Sequence, residues 1–136
     1  MRLFRGSLAL PAALRQQMLE HALAGPAEEA CGLVGGRDGR PVRYYPVAND
    51  APDRARRFLM NPGDQIAAMR RMRDAGEDLL GIFHSHPAAP AEPSAADLEL
   101  AAYPGTVYFI ASLAGASPDL RAWRFDGTGF RPLRLR

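Results

Sequence analysis

Two histidines lie close together at the end of an apolar segment. His84 and His86 flank Ser85 and follow residues 79–83, a continuous apolar run typical of a central strand buried on both faces. Side chains two positions apart on a strand point to the same side, so both imidazoles can approach one ion while Ser85 points away. Asp97, in the first turn of a predicted helix, can add a carboxylate oxygen. Two histidines and a carboxylate leave the fourth tetrahedral position open to water, which is typical of a catalytic rather than a structural zinc site.

The same residues also have simpler interpretations. Two neighbouring histidines can be a coincidence, and Ser94 with Asp97 is an acceptable N-terminal cap of a helix. The cap and ligand interpretations are compatible, because a carboxylate at a helix start is held rigidly. The combined pattern H-x-H-x7-S-x2-D would arise by chance in a chain of this length on the order of once in several thousand. Pro87, Pro90 and Pro93 stiffen the intervening loop, which reduces the entropy lost when the site assembles.

Length and composition restrict the class of protein. The 136 residues are 47% hydrophobic and 24% charged, which predicts a single globular domain over 1–136. The one cysteine, Cys31, cannot form a disulfide within the chain, so we expect a reducing, cytoplasmic location. A net charge of +2 argues against a dedicated nucleic-acid binder. No apolar run approaches the ~18 residues that span a bilayer, so no membrane partner is expected.

Turn residues and periodicity divide the chain into mixed helices and strands. They predict an α+β fold with a three-layer α/β/α-like arrangement, in which helices flank one mixed, curved sheet. The strongest helix start is Asn61 followed by Pro62, and Gly76 ends that helix. The predicted strands cover 2–9, 30–36, 41–48, 58–60, 79–83, 106–112, 119–125 and 129–135, and the predicted helices begin at Pro11, Pro62 and Ser94.

The second predicted helix has an apolar periodicity. Ile66, Met69, Met72 and Ala75 recur at three-residue steps, so we expect them to line its buried face.

The site pattern and an upstream segment together point to a family. Residues 29–36, EACGLVGG, place a glutamate before a Cys-Gly-hydrophobic strand. With H-[ST]-H-x7-S-x2-D downstream, the chain resembles the JAB/MPN metalloproteases that carry the JAMM zinc motif, and in particular their small bacterial members. Every position of the family pattern is present, and the resemblance extends over most of the chain.

The resemblance implies a role for each matching residue. His84, His86 and Asp97 would bind one catalytic zinc ion, with water completing its shell. Glu29 matches the general acid/base and Ser94 the residue that stabilises the oxyanion. The neighbouring Glu28 is rejected, because strand alternation would place its side chain on the opposite face.

The resemblance also implies a substrate. Family members cleave after the C-terminal glycine of ubiquitin or ubiquitin-like proteins, and the small bacterial forms act on sulfur carriers of the ThiS/MoaD type. They release an amino acid such as cysteine or trim the carrier tail. A homodimer is left open. Six arginines form the densest basic region, which we interpret as a docking surface for an acidic carrier face or as an ordinary solvated surface. They are Arg54, Arg56, Arg57, Arg70, Arg71 and Arg73.

Two other functions compete with the peptidase. The first is a non-catalytic binding module that zinc merely stabilises. The second is a RadC-like protein linked to DNA, although that family usually has Asn where this chain has Ser85, and the modest net charge also disfavours it. Cys31 paired with His84 could be a nucleophile, but its strand context favours a small buried residue.

Overall fold

A computed structural model describes residues 6–136. Of the strand predicted at 2–9, positions 2–5 lie outside the described residues, and only Ser7–Leu8 forms a strand. In chain order the elements are β1 (Ser7–Leu8), α1 (Ala12–Ala24), β2 (Cys31–Arg37), β3 (Arg40–Val47), α2 (Pro62–Asp74), β4 (Asp78–His86), α3 (Ala95–Leu100), β5 (Val107–Ser112), β6 (Asp119–Phe125) and β7 (Phe130–Leu135).

One seven-stranded sheet runs in the order β1-β7-β6-β5-β4-β2-β3. The β1/β7 and β4/β5 pairs are parallel and the other pairs are antiparallel, so the predicted mixed sheet is confirmed. Strand β4 lies between β2 and β5, and its register pairs His84 with Cys31 and His86 with Ser112. The C-terminal end of β4 therefore lies inside the sheet, with a neighbouring strand on each side.

The two longer helices pack on opposite faces of the sheet, which confirms the layered α+β arrangement. Helix α1 contributes Leu14 and Met18 to a core that includes Phe83. Helix α2 contributes Met72 to a second cluster that includes Cys31. Because side chains alternate along β4, His84 and His86 emerge on the face opposite Phe83.

The predicted buried face of α2 is wrong in part. Met72 is buried, but Ile66 and Met69 are exposed and Ala75 is only half-buried, while Ala68 takes the inner position. Hydrogen bonds at the helix start orient it. The Asn61 side chain accepts from the backbone N of Asp64 at 2.9 Å, and the Asp64 carboxylate accepts from the backbone N of Ala48 at 3.0 Å. These contacts set which stripe of the helix meets the sheet, and periodicity alone does not contain that information.

The strand predicted at 58–60 is reduced to a single antiparallel bridge between Asn49 and Met60. The side chain of Asn49 explains the difference, because its Oδ1 accepts from the backbone N of Leu59 at 3.0 Å. An amide side chain thus takes the place of a strand partner.

Buried Glu77 fastens the far end of α2 to the sheet, a role that the sequence did not reveal. Tyr45 donates its hydroxyl hydrogen to Glu77 Oε1 over 2.7 Å, and Arg43 Nε donates to Oε2 over 3.1 Å. A side chain at Gly35 would overlap Glu77 Oε1, so the network requires glycine there. Within residues 6–136, no helix combines the length and hydropathy needed to cross a bilayer.

Candidate metal centre

Three candidate ligand atoms converge at the C-terminal end of β4. His84 Nε2 lies 3.1 Å from His86 Nε2 and 3.1 Å from Asp97 Oδ2, and His86 Nε2 lies 3.4 Å from the same oxygen. All three residues are buried. They form a group that could hold a metal ion.

These separations match a tetrahedral ion. Zinc bonds to nitrogen and oxygen are about 2.0–2.1 Å long, so two ligands of a regular tetrahedron lie about 3.3 Å apart. His86 Nδ1 donates to the carbonyl of Pro90 at 2.8 Å, so the lone pair of the neutral ring is on His86 Nε2. An ionised Asp97 also offers only lone pairs, and His84 Nε2 can supply at most one hydrogen. A cation at the centre would therefore satisfy all three atoms together.

Aromatic packing orients the first histidine. The Phe58 ring stacks on His84 with centroids 4.6 Å apart and an interplanar angle of 26°. His84 Nδ1 is buried without a hydrogen-bond partner among the described residues. The ring is thus held by packing, and the sequence reasoning missed Phe58 because it assigned that residue to a strand.

Asp97 has two structural roles at once. Its Oδ2 accepts from the backbone N of Ser94 at 2.8 Å, and Ser94 Oγ accepts from the backbone N of Asp97 at 3.1 Å. This reciprocal pair is a capping box at the start of α3. The carboxylate that caps the helix is the same one that faces the histidines, as the sequence reasoning allowed.

The protonation states of His84 and Asp97 favour ligation, whereas hydrogen bonds to Asp97 and Pro90 raise the pKa of His86 against the opposing effect of burial, so a metal ion must displace a proton there. Burial lowers the pKa of His84, so its imidazole is neutral near pH 7. Although burial opposes the effect, hydrogen bonds from His84 and His86 hold the pKa of Asp97 well below its usual range. A neutral imidazole and an ionised carboxylate are the forms that bind metals.

Glu29 lies beside the three ligands and Glu28 does not. Glu29 is 5% exposed and its Oε1 has no hydrogen-bond partner within residues 6–136, whereas Glu28 is exposed and pairs with Arg54 at 3.3 Å. Burial raises the pKa of Glu29 to about 7. Both glutamates precede β2, so loop geometry rather than strand alternation separates them.

A cavity of about 260 Å³ opens next to these groups. It brings together Glu29, His86, Ser94 and Arg56, and its remaining walls are small or apolar: Ala55, Pro87, Ala88 and Ala89. Because Ser94 Oγ accepts the cap hydrogen bond, its own hydrogen is available to a group in the cavity. The cavity therefore brings the Glu29 carboxyl group, the Ser94 hydroxyl and the Arg56 guanidinium next to the candidate ligands.

Asn49 ties the loop that follows β3 to Glu29. Its Nδ2 donates to the carbonyls of Glu29 at 2.9 Å and Arg57 at 3.0 Å, and the backbone N of Glu29 donates to the carbonyl of Arg54 at 2.7 Å. Ser85 acts from the other side, since its Oγ accepts from the backbone N of Ala30 at 2.8 Å. The role of Asn49 was not predicted from the sequence. The only signal for it was its position, as a polar residue between a predicted strand and an irregular loop.

The six arginines do not form one cluster. Arg56 lines the cavity, and Arg54 and Arg57 belong to the same loop. Arg71 lies over the Tyr45 ring at 5.1 Å, near the C-terminal end of α2. The C-terminal end of α2 contacts β2, because Arg37 donates to the carbonyl of Ala75. Arg37 is the last residue of β2 and lies at the opposite end of that strand from the metal centre. The region thus divides into a loop group at the site and a helix group, Arg70, Arg71 and Arg73, extending away from it.

Cys31 is unsuited to nucleophilic chemistry. It is fully buried, its Sγ donates to the carbonyl of Val47 at 3.5 Å, and burial raises its pKa to about 12. A thiol with that pKa remains protonated near pH 7. The small buried residue favoured from the sequence is what the structure contains.

Comparisons with known proteins agree with this geometry. A family model described as "Prokaryotic homologs of the JAB domain" matches residues 11–126. The chain is similar to the desampylase of Haloferax volcanii, with 37% identity covering 94% of each protein. It is also similar to the CysO-cysteine peptidase of Mycobacterium tuberculosis H37Rv, with 37% identity covering 88% of this chain and 84% of that protein.

Solved structures give the same result. A protein from Desulfitobacterium hafniense, known from its solution structure, superposes with a TM-score of 0.83 and is 39% identical. The match covers 95% of this chain and 91% of that one. Family model, relatives and fold together establish that the chain is a small member of the JAB-domain family, as its motifs predicted.

Proposed function

We propose that this chain is a zinc-dependent JAMM-type peptidase. It hydrolyses the amide or isopeptide bond after the C-terminal glycine of a ubiquitin-like sulfur carrier of the ThiS/MoaD type. The similarity to proteins named desampylase and CysO-cysteine peptidase supports both the hydrolase class and the kind of substrate. In this proposal residues 1–136 act as one domain, bind a single catalytic ion and work in the cytoplasm.

One observation carries the proposal. Glu29 Oε1 is buried and has no hydrogen-bond partner in the part of the chain that the structure describes, and Glu29 lines the same cavity as His86 and Ser94, beside the three converging ligand atoms. A buried carboxyl group without a partner destabilises the fold because its desolvation is not compensated, so its presence indicates a functional role. Its raised pKa is typical of a group that exchanges protons near neutral pH.

His84, His86 and Asp97 are the residues that would hold zinc. The bound ion would supply a Lewis acid for the scissile carbonyl and lower the pKa of a coordinated water to about 7. The chain itself contributes the orientation of the ligands, through the Pro90 carbonyl, the Phe58 ring and the α3 cap.

Glu29 moves the proton in this mechanism. Its carboxylate accepts a proton from the attacking water as the carbon–oxygen bond forms. It then delivers that proton to the amide nitrogen as the carbon–nitrogen bond breaks, so that an amine leaves. A pKa of about 7 suits both steps, because the side chain changes state with little driving force in either direction.

Ser94 stabilises the negative charge that develops on the carbonyl oxygen. Its Oγ is fixed as the helix cap, and its hydrogen remains available to donate into the cavity. A preorganised donor of this kind contributes about 3 kcal/mol to a transition state.

Replacing Asp97 tests the metal site. Asp97→Asn retains an oxygen that can accept from Ser94 but removes the negative charge, so we expect zinc affinity to fall by more than about 100-fold. Competition with a chromophoric chelator measures this affinity. Glu99→Gln changes an exposed carboxylate of the same helix and is the matched control, for which unchanged affinity is expected. Tight zinc binding by Asp97→Asn would contradict the ligand assignment.

Glu29→Gln separates catalysis from zinc stabilisation. We expect kcat on a carrier conjugate to fall by about 10²- to 10⁴-fold while bound zinc stays stoichiometric, because the proton carrier is lost and the ligands remain. Glu28→Gln, at the adjacent exposed residue, is the control and retains activity. If Glu29→Gln turned over normally, the non-catalytic binding module would become the better interpretation.

The raised pKa of Glu29 also predicts a pH dependence of stability in the metal-free protein. The folded-state pKa, about 7, lies above the unfolded value, so the protonated side chain stabilises the fold fully below about pH 4.5 and this contribution is lost as pH rises through 7. Between pH 5 and 8 the wild type should therefore lose free energy of unfolding relative to Glu29→Gln. Urea denaturation in the presence of chelator measures the difference, and parallel pH profiles of the two proteins would refute it.

The arginines supply the proposed docking surface for an acidic carrier. The helix group lies near the C-terminal end of α2, away from the metal centre, where positive charge can still steer association. Arg70 and Arg73 are exposed on this helix. The loop group lies at the cavity itself.

Neutralising the helix group tests docking. Arg70→Gln with Arg73→Gln should raise KM for the whole carrier about 3- to 10-fold at low salt, and less at high salt, while kcat on a short peptide is unchanged. Arg131→Gln with Arg134→Gln removes the same charge from exposed positions on β7 and is the control. Equal KM values for the two double variants would rule out this surface.

A further inference from the structure

We propose that Arg56 binds the free α-carboxylate of a departing amino acid, so that the chain selects conjugates whose leaving group is a single C-terminal residue. This inference rests on the proposed function and narrows its substrate. It assigns to Arg56 a specificity role within the site, distinct from docking of the carrier surface.

The first support is the location of Arg56. Together with Glu29, His86 and Ser94 it lines the cavity of about 260 Å³, and the other lining residues are uncharged. Sites for drug-sized ligands usually occupy about 300–1,000 Å³, so this space suits one or two residues of an extended chain. The short side chains of Ala55, Ala88 and Ala89 leave that space open.

The second support is the pairing of the loop arginines. Arg54 pairs with Glu28 at 3.3 Å. Across residues 6–136, no carboxylate lies within ion-pair distance of Arg56. The backbone is nevertheless fixed, because the N–H of Arg56 donates to the carbonyl of Asp53 at 3.2 Å and Asn49 fastens the adjoining carbonyl of Arg57. Arg56 is exposed, so a charged side chain with no carboxylate partner among the described residues extends from this fixed backbone at the wall of the cavity.

The third support is the direction of proton transfer. Glu29 must reach the departing nitrogen, so the leaving residue lies on the Glu29 side of the scissile bond. The loop that carries Arg56 is attached there, since the backbone N of Glu29 donates to the carbonyl of Arg54 at 2.7 Å. Arg56 is therefore on the leaving-group side.

The chemistry of leaving groups then selects among substrates. In a free amino acid the carboxyl carbon is only about 2.5 Å from the nitrogen, so an anion enters the cavity with the leaving amine. A lysine side chain in an isopeptide presents methylene groups at that position, and a continuing peptide presents a neutral amide. A guanidinium distinguishes the carboxylate from both, because it can donate two parallel hydrogen bonds to it.

The test compares an acid with its amide. The probes are a ThiS/MoaD-type carrier ending in Gly-Gly-Ala, the same carrier with a C-terminal amide, and the tripeptide Gly-Gly-Ala with its amide. We expect zinc-loaded wild type to show about a 10- to 100-fold higher kcat/KM for the acid carrier. Arg56→Gln should reduce this ratio to near one, and Arg56→Lys should restore part of it. Arg40→Gln, the same change at the first residue of β3 and at the end of the hairpin away from the metal centre, should leave the ratio unaltered.

Titration calorimetry of the metal-free protein with the two tripeptides gives a second measure, and there the acid should bind about 10-fold more tightly than the amide. A protein that hydrolyses both carriers equally and binds both tripeptides equally would overturn this inference alone. A protein that prefers the acid tripeptide but hydrolyses neither carrier would overturn the proposed function alone. Retention of the acid preference by Arg56→Gln would also overturn the inference.

Discussion

The close approach of three ligand atoms, His84 Nε2, His86 Nε2 and Asp97 Oδ2, is the constraint on which the site depends. The Pro90 carbonyl fixes the hydrogen of His86 on Nδ1, Asp97 is ionised, and the remaining hydrogen of His84 can satisfy only one partner. Buried acceptors that face each other without a cation repel, and burial makes this repulsion stronger. The surrounding sheet must therefore be rigid enough to keep the three side chains converged.

That rigidity comes from elements on both sides of β4. The pairing of β4 with β2 and β5 fixes the backbone of the histidines. The proline-containing loop is held by one side chain from β5 and one from β6. Ser112 donates to the carbonyl of Ala89 at 2.6 Å, and Trp123 Nε1 donates to the carbonyl of Ala91 at 3.0 Å. On the Glu29 side, the Asn49 side chain holds the loop after β3 by donating to the carbonyls of Glu29 and Arg57. Glu29 and the three candidate ligands are thus positioned by separate segments of the chain, Glu29 by the loop before β2 and the ligands by β4 and α3.

Local sequence signals predicted much of this arrangement. The i, i+2 spacing of His84 and His86 defines a common face of one strand, and the Ser94–Asp97 spacing defines a helix start. Both are short-range features that strand and helix geometry determine. The orientation of α2 and the role of Asn49 depend on contacts between segments distant in the chain, so Ile66 and Met69 were placed inside and residues 58–60 were predicted as a strand. Glu77 was missed for the same reason, because its partners come from another hairpin.

The double role of Asp97 couples metal occupancy to local folding. Helix α3 has only six residues, too few to persist on intrinsic propensity, and its N-terminus depends on the carboxylate that faces the histidines. A cation that holds the Asp97 carboxylate in one position also holds the helix cap and the Ser94 hydroxyl in place. If Asp97 binds the proposed ion, metal binding and the order of the α3 cap are coupled, so a chelator that removes the ion also weakens the positioning of the Ser94 hydroxyl.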